Sequence, residues 1–253
     1  MTPDLFNLKG KTAIVTGCST GLGQGMCLGL AEAGANVVGV DYVDAPETSE
    51  MIASINGRFH GIKADLSSCE PIEAILDEAV KTFGRVDILV NNAGIIRRED
   101  SINFSEKDWD DVMNINIKTV FFFCQAAARR FLQQGQGGKI INIASMLSFQ
   151  GGIRVPSYTA SKSAVMGITR LLANEWAAHN INVNAIAPGY MATNNTAALR
   201  ADKERSAEIL GRIPAKRWGK PSDLAGPVIF LASDASAYVN GYTLAVDGGW
   251  LAR

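Results

Sequence analysis

The stretch SYTASK (157–162) sets a tyrosine four positions before a lysine. On a helix, side chains four apart share a face, so Tyr158 and Lys162 can point the same way. A neighbouring ammonium favours the phenolate and lowers a tyrosine's pKa, which makes a weak acid usable as a proton carrier near neutral pH. A structural tyrosine beside a chance lysine is the plainer explanation of the pair alone, so it has to be weighed with the rest of the chain.

A second stretch, TGCSTGLG (16–23), places glycines at 17, 21 and 23 between an apolar β-branched run and a helical pattern. In that context a glycine-rich turn cradles phosphate, because backbone comes close and a helix N-terminus faces the anion. Glycine turns also serve ordinary strand-to-helix packing, and the three residues between Gly17 and Gly21 depart from the common dinucleotide fingerprint. The next β-branched run ends on Asp41, about where an acidic residue meets an adenosine ribose. A carboxylate there accepts from ribose hydroxyls and repels a 2′-phosphate. No arginine or lysine occurs between Cys18 and Glu32 or directly after Asp41, so NAD is expected over NADP.

These residues need elements to hold them. Short runs at 12–16, 36–40, 58–63, 87–91, 139–144, 181–187 and 243–246 read as strands, and longer patterns near 22–33, 71–83, 106–134, 157–179 and 222–232 as helices. Strand and helix in alternation predict an α/β fold, a parallel sheet with helices on both faces. Several strands are continuously apolar, as strands buried on both faces should be. No composition break divides the chain, so one domain is expected over 1–253. The least regular part, 188–221, lies between the sixth and seventh strands, where a long excursion often covers a site.

Composition narrows the class. The 253 residues carry a formal net charge of −1, which leaves no basic footprint for nucleic acid or an acidic membrane. The start, MTPDLFNLKG, lacks the pattern of a signal peptide, and no apolar run is long enough to span a bilayer. Cys18, Cys27, Cys69 and Cys124 are widely spaced, which favours buried free thiols over disulfides. His60 and His179 are far apart, and no metal site is expected. A soluble cytoplasmic protein follows as the expectation.

Taken together, TGCSTGLG, NNAG (91–94), Ser145, YTASK (158–162) and PGYMAT (188–193) resemble the short-chain dehydrogenase/reductase family over essentially the whole chain. The resemblance implies a single-domain, Rossmann-type, doubly wound parallel sheet of seven strands, a nicotinamide cofactor and a homotetramer. It implies that Tyr158 is the general acid when a ketone is reduced and the general base when an alcohol is oxidised. Lys162 would lower the tyrosine's pKa and bind the nicotinamide ribose. Ser145 would orient and polarise the substrate oxygen, and Asn116 would hold a water linking Lys162 to solvent. The implied cofactor contacts are Gly17, Ser19, Thr20, Gly21, Leu22 and Gly23 of the turn, Asp41, Asp65 and Leu66, Asn91, Ala93 and Gly94, and Pro188, Gly189, Met191 and Thr193.

The substrate is less fully written in the residues. Arg97 and Arg98 follow the NNAG turn, Arg154 precedes the tyrosine helix, and Asn194, Asn195 and Arg200 sit in the irregular excursion, or lid. Arginine binds carboxylates as a fork and asparagine suits hydroxyls, so a small polar anion is expected. Each of these side chains also has a plain reading as solvated surface. A narrower resemblance, in RREDSINFSEKDWDDVMNINIK, SMLSFQGGIRVPSYTASKS, APGYMATNNTAALRAD and VDGGWLAR, is to the family's sugar-acid dehydrogenases of pectin and uronate breakdown. It implies NADH-linked interconversion of 2,5-diketo-3-deoxygluconate and 2-keto-3-deoxygluconate. Two other readings compete. A 3-oxoacyl carrier-protein reductase would want a basic docking patch and usually NADPH, and a non-catalytic dinucleotide sensor would not need Tyr158 and Lys162.

Overall fold

Seven strands form one all-parallel sheet in the order β3-β2-β1-β4-β5-β6-β7, in a computed structural model that describes residues 3–253. Met1 and Thr2, part of the stretch read for a leader, lie outside the described residues. The strands are β1 (Thr12–Thr16), β2 (Asn36–Asp41), β3 (Arg58–Lys63), β4 (Ile88–Asn91), β5 (Gly138–Ile143), β6 (Ile181–Pro188) and β7 (Thr243–Val246). The order reverses between β1 and β4, and open α/β sheets bind ligands outside the carboxyl ends of strands at such a switch point. The glycine turn after β1 and NNAG after β4 meet there.

Alternation along each strand splits the core into two layers. Ile14 of β1 and Leu89 of β4 pack with α3 (Ile72–Phe83), α5 (Thr119–Gln134) and α6 (Pro156–Trp176). Ala13, Val15, Ile88 and Val90 pack on the other face with α1 (Gly21–Glu32), α2 (Pro46–Ser54) and α9 (Ala225–Ala232). Burial on both faces explains why these strands read as unbroken apolar runs.

Three helical features differ from the sequence expectation. The segment predicted as one helix over 106–134 is α4 (Glu106–Met113), a π turn (Asn114–Lys118) and then α5. α2 gave no signal because, of its nine residues, only Thr48 and Ile52 are buried. The lid holds two short helices, α7 (Ala197–Ala201) and α8 (Lys203–Arg212), and α8 buries only Ile209. Such short elements carry too few buried positions to set a period. The four cysteines are free thiols, and no described helix is long and apolar enough to cross a membrane.

Candidate active site

A cleft of about 730 Å³ runs along the carboxyl edge of the sheet. One end is walled by Asp41, Asp65 and Leu66, the middle by Gly17, Ser19–Leu22, Ala93 and Gly94, and the other end by Tyr158, Lys162 and Thr193–Asn195. The glycines of the turn are there for space. Gly17 and Gly21 take φ of +68° and +59°, and a Cβ on Gly23 would stand 1.9 Å from the carbonyl oxygen of Gly17. Thr20 caps α1 without a side-chain bond to the first turn, and no acidic residue occupies that turn. The leading N–H groups of α1 are therefore open to an anion, and the helix dipole favours one there. These residues fit a dinucleotide pyrophosphate.

Asp41 both shapes this turn and faces the cleft. Its Oδ2 accepts the Ser19 N–H at 2.8 Å and its Oδ1 the Tyr42 N–H at 2.7 Å. Each oxygen keeps a lone pair for a ribose hydroxyl. Asp65 accepts the Ser67 N–H at 2.8 Å, and the Leu66 carbonyl accepts the Thr119 hydroxyl at 2.9 Å.

At the far end, Tyr158 and Lys162 share one face of α6, with the ammonium 5.6 Å from the phenol ring centroid. Lys162 is 5% exposed and donates to the Ile143 carbonyl at 2.6 Å. Burial pulls its pKa down to about 8. The phenol also departs from expectation. Desolvation raises the Tyr158 pKa, while a hydrogen bond with Ser145 and the charge of Arg98 act in the lowering direction. The sequence reading assigned the lowering to Lys162. Here burial outweighs the effects of Ser145 and Arg98, and the Lys162 ammonium is engaged with a backbone carbonyl.

Ser145 caps the short turn Met146–Ser148 and accepts the Leu147 N–H at 3.1 Å. Ser148 locks that turn onto α6, donating from Oγ to the Lys162 carbonyl and accepting the Ser145 N–H at 3.3 Å. Asn116 is fully buried in the π turn, a conformation that recurs at functional sites. Its amide donates to the Ile95 carbonyl at 2.9 Å and to Ser161 Oγ at 3.2 Å, while its Oδ1 accepts the Ile95 N–H at 2.9 Å. Both amide protons are thus committed, so the side chain clamps the loop after NNAG to α6. The expected relay water would have to bond elsewhere on the residue.

Other expected contacts fall away from the cleft wall. Asn91 donates to Asn142 Oδ1 at 2.9 Å inside the sheet, because its position in β4 turns it inward. The next residue, Asn92, lines the cleft and donates to the Thr16 and Gly17 carbonyls at 2.9 and 3.0 Å. Only its place in the doubled asparagine hinted at this role. Pro188 ends β6, Gly189 packs on the Asp247 backbone, and Met191 is buried and bridged to Gly219, so none of the three lines the cleft. Arg154 is tied to Asp100 at 3.0 Å, and Arg200 donates to the Thr193 carbonyl at 3.1 Å. Arg98 reaches the lid, donating to the Asn195 carbonyl at 3.1 Å. Arg97, read with Arg98 as following the NNAG turn, lines the cleft, and so do Asn114 and Ile115, to which the sequence reading gave no place there.

The chain is similar to known proteins over nearly its full length. A family model described as enoyl-(acyl carrier protein) reductase matches residues 17–251. A 2-dehydro-3-deoxy-D-gluconate 5-dehydrogenase of Escherichia coli (strain K12) is 72% identical over 248 residues, covering 98% of each chain. A solved dehydrogenase from Agrobacterium tumefaciens with bound NADP is 55% identical, with a TM-score of 0.94 over 99% of this chain and 100% of its own. A gluconate 5-dehydrogenase from Burkholderia cenocepacia J2315, in complex with NADP and tartrate, is 38% identical, with a TM-score of 0.95 over 100% of both chains.

Proposed function

The chain belongs to the short-chain dehydrogenase/reductase family, and on that premise we propose that it interconverts 2,5-diketo-3-deoxy-D-gluconate and 2-keto-3-deoxy-D-gluconate with NAD(H). The observation that carries the reading is the placing of Tyr158 and Lys162 at one end of a phosphate-ready cleft, with Ser145 hydrogen-bonded to the phenol. The chain's similarity to a sugar-acid dehydrogenase at 72% identity supports the substrate class. When bound, the nicotinamide ring supplies or accepts the hydride.

The chain's own residues handle the proton and the alignment. Tyr158 gives its phenolic proton to the C5 oxygen during reduction and takes it back during oxidation. Ser145 donates a hydrogen bond to the same oxygen, and the short turn locked by Ser148 fixes its position. Lys162, with a pKa near 8, stays mostly charged at neutral pH and favours the phenolate as it forms. Arg98 acts in the same direction. Asn194 and Asn195 of the lid offer partners for the sugar hydroxyls.

Asp41 supports NAD over NADP. The described cations that line the cleft, Arg97 and Lys162, accompany residues of its catalytic end, and Asp41 would repel a 2′-phosphate. The reading includes a cytoplasmic homotetramer serving pectin and uronate breakdown, as the family resemblance implies. Exposed Trp109 of α4 and Phe122 of α5 offer apolar surface for subunit contact. The test is a panel of keto-sugar acids and acyl thioesters assayed with NADH and NADPH by absorbance. Highest catalytic efficiency on the 2-keto-3-deoxygluconate pair with NAD(H) is expected, and a preference for acyl thioesters would refute the assignment.

A further inference from the structure

We propose that Thr48 of α2 is a positioning residue for cofactor choice, acting on the Asp41 carboxylate through the peptide between Cys18 and Ser19. The proposal rests on the reading that the cleft binds a dinucleotide with Asp41 at its adenosine ribose. It needs nothing from the substrate assignment. A carboxylate tells a ribose hydroxyl from a 2′-phosphate best when it is held in one place. The backbone of Asp41 is seated at the end of β2, where its carbonyl accepts the Ala64 N–H at 2.8 Å. Its carboxylate depends on two N–H groups, that of Tyr42 at 2.7 Å and that of Ser19 at 2.8 Å. The bond to Tyr42 is local and moves with Asp41. The bond to Ser19 ties the carboxylate to the glycine turn.

What fixes the Ser19 N–H lies on the far side of its own peptide. A peptide group is planar and trans, so the Cys18 carbonyl and the Ser19 N–H point in opposite directions from one rigid plate. The Thr48 hydroxyl donates to that carbonyl at 2.8 Å, and no other donor reaches it among the described residues. The plate is thus held at both edges, by Thr48 on one and by Asp41 on the other. Gln24 of α1 sets the direction of this network. Its Nε2 donates to Thr48 Oγ1 at 3.2 Å and to the Ser19 carbonyl at 3.3 Å. A hydroxyl has one proton to give. With its oxygen accepting from the amide, Thr48 gives that proton to the nearer carbonyl, Cys18 at 2.8 Å rather than Ser19 at 3.4 Å.

Burial supports the assignment. α2 buries two side chains, Thr48, which is 1% exposed, and Ile52. Four residues apart, they share a helix face. Ile52 joins the core on that side of the sheet and holds the helix down, while Thr48, one turn away, sets its hydroxyl on the glycine turn. That hydroxyl adds nothing to the packing. Its contribution is the bond to Cys18, itself 1% exposed, whose carbonyl would otherwise be buried without a partner. Because α2 follows β2 in the chain, one strand–helix unit supplies both the carboxylate and the group that steadies it. The plainer account is that Thr48 only docks α2 on the turn.

The experiment titrates cofactor-free protein with NADH and with NADPH by nicotinamide fluorescence, which needs no substrate. It compares wild type, Thr48→Val, Thr48→Ser and Gln24→Met, and repeats Thr48→Val in an Asp41→Asn background. Valine keeps the branched shape and removes the bond. Contacts of the turn with the pyrophosphate are common to both dinucleotides, so their weakening cancels in the ratio of the two dissociation constants. Wild type should bind NADH the more tightly. Thr48→Val should narrow that preference about three- to tenfold, the worth of one hydrogen bond. Thr48→Ser should restore it, and Gln24→Met should narrow it by less. With the charge gone in Asp41→Asn, Thr48→Val should change the ratio little. Equal weakening toward both dinucleotides makes Thr48 a docking residue only and overturns the proposal. A narrowing of the same size in the Asp41→Asn background overturns it too. Should Thr48→Val not fold, an unchanged ratio in Gln24→Met does the same. A wild type that binds NADPH at least as tightly as NADH overturns the reading of Asp41 itself, whereas failure of the substrate assignment leaves this test unaffected.

Discussion

Replacing Lys162 with methionine should separate activity from stability. The side chain is buried, and its pKa is drawn from the ordinary 10.5 to about 8. That gap corresponds to about 3 kcal/mol at 1.36 kcal/mol per pKa unit. The sign follows from proton counting. Below pH 8 native and unfolded chains both hold the proton, and the whole penalty of burying the ammonium is present. Between pH 8 and 10.5 the native state releases it first, so the unfolded state binds more protons and stability rises with pH. Methionine removes the penalty but leaves the Ile143 carbonyl without the donor now 2.6 Å away, at a cost of about 1–3 kcal/mol. At pH 7 the cofactor-free variant should therefore match wild type or exceed it by up to about 2 kcal/mol. Between pH 7 and 10 its standing against wild type should fall by about 2–3 kcal/mol. Urea denaturation at fixed protomer concentration, run on both proteins at both pH values, measures this. Groups remote from Lys162 and common to both, such as Cys18, cancel in the difference, and repeating the comparison in a Tyr158→Phe background removes the neighbouring phenol. Turnover should collapse throughout. A stability difference that stays constant with pH would refute the reasoning.

The remaining predictions concern the proton and the cofactor. Tyr158→Phe keeps the ring and removes the proposed proton donor, so kcat should fall on the order of a hundredfold or more with NADH binding, followed by fluorescence titration, largely kept. Near-normal turnover would remove the phenol from the mechanism. Wild type should show the higher kcat/KM with NADH, and Asp41→Asn should narrow that preference, since its carbonyl can still accept the Ser19 N–H while the charge is gone. Asp41→Ala is the poorer probe, because losing that bond loosens the glycine turn itself. A wild type more efficient with NADPH would defeat the reading of Asp41.

What the sequence determined by itself was whatever is written in short spans. Apolar runs such as those of β1, β4 and β6 specify the parallel sheet because burial on both faces leaves that pattern in the residues. The four-residue spacing of Tyr158 and Lys162 specifies a shared helix face, and the glycines at 17, 21 and 23 specify a tight turn. What only the tertiary structure decided is which partner each polar group takes. Asp41 reaches Ser19, 22 positions away. Asn116 turns back on Ile95 because a π turn interrupts a helix that periodicity reads as continuous. Asn92 rather than Asn91 lines the cleft, since a one-residue step along a strand exchanges its two faces. The direction of the Tyr158 pKa reverses the local expectation for a related reason. Spacing shows the neighbouring ammonium, but desolvation depends on everything packed around the phenol. Thr48 meets the Cys18 carbonyl only when α2 folds back against the glycine turn, and no local period carries that encounter.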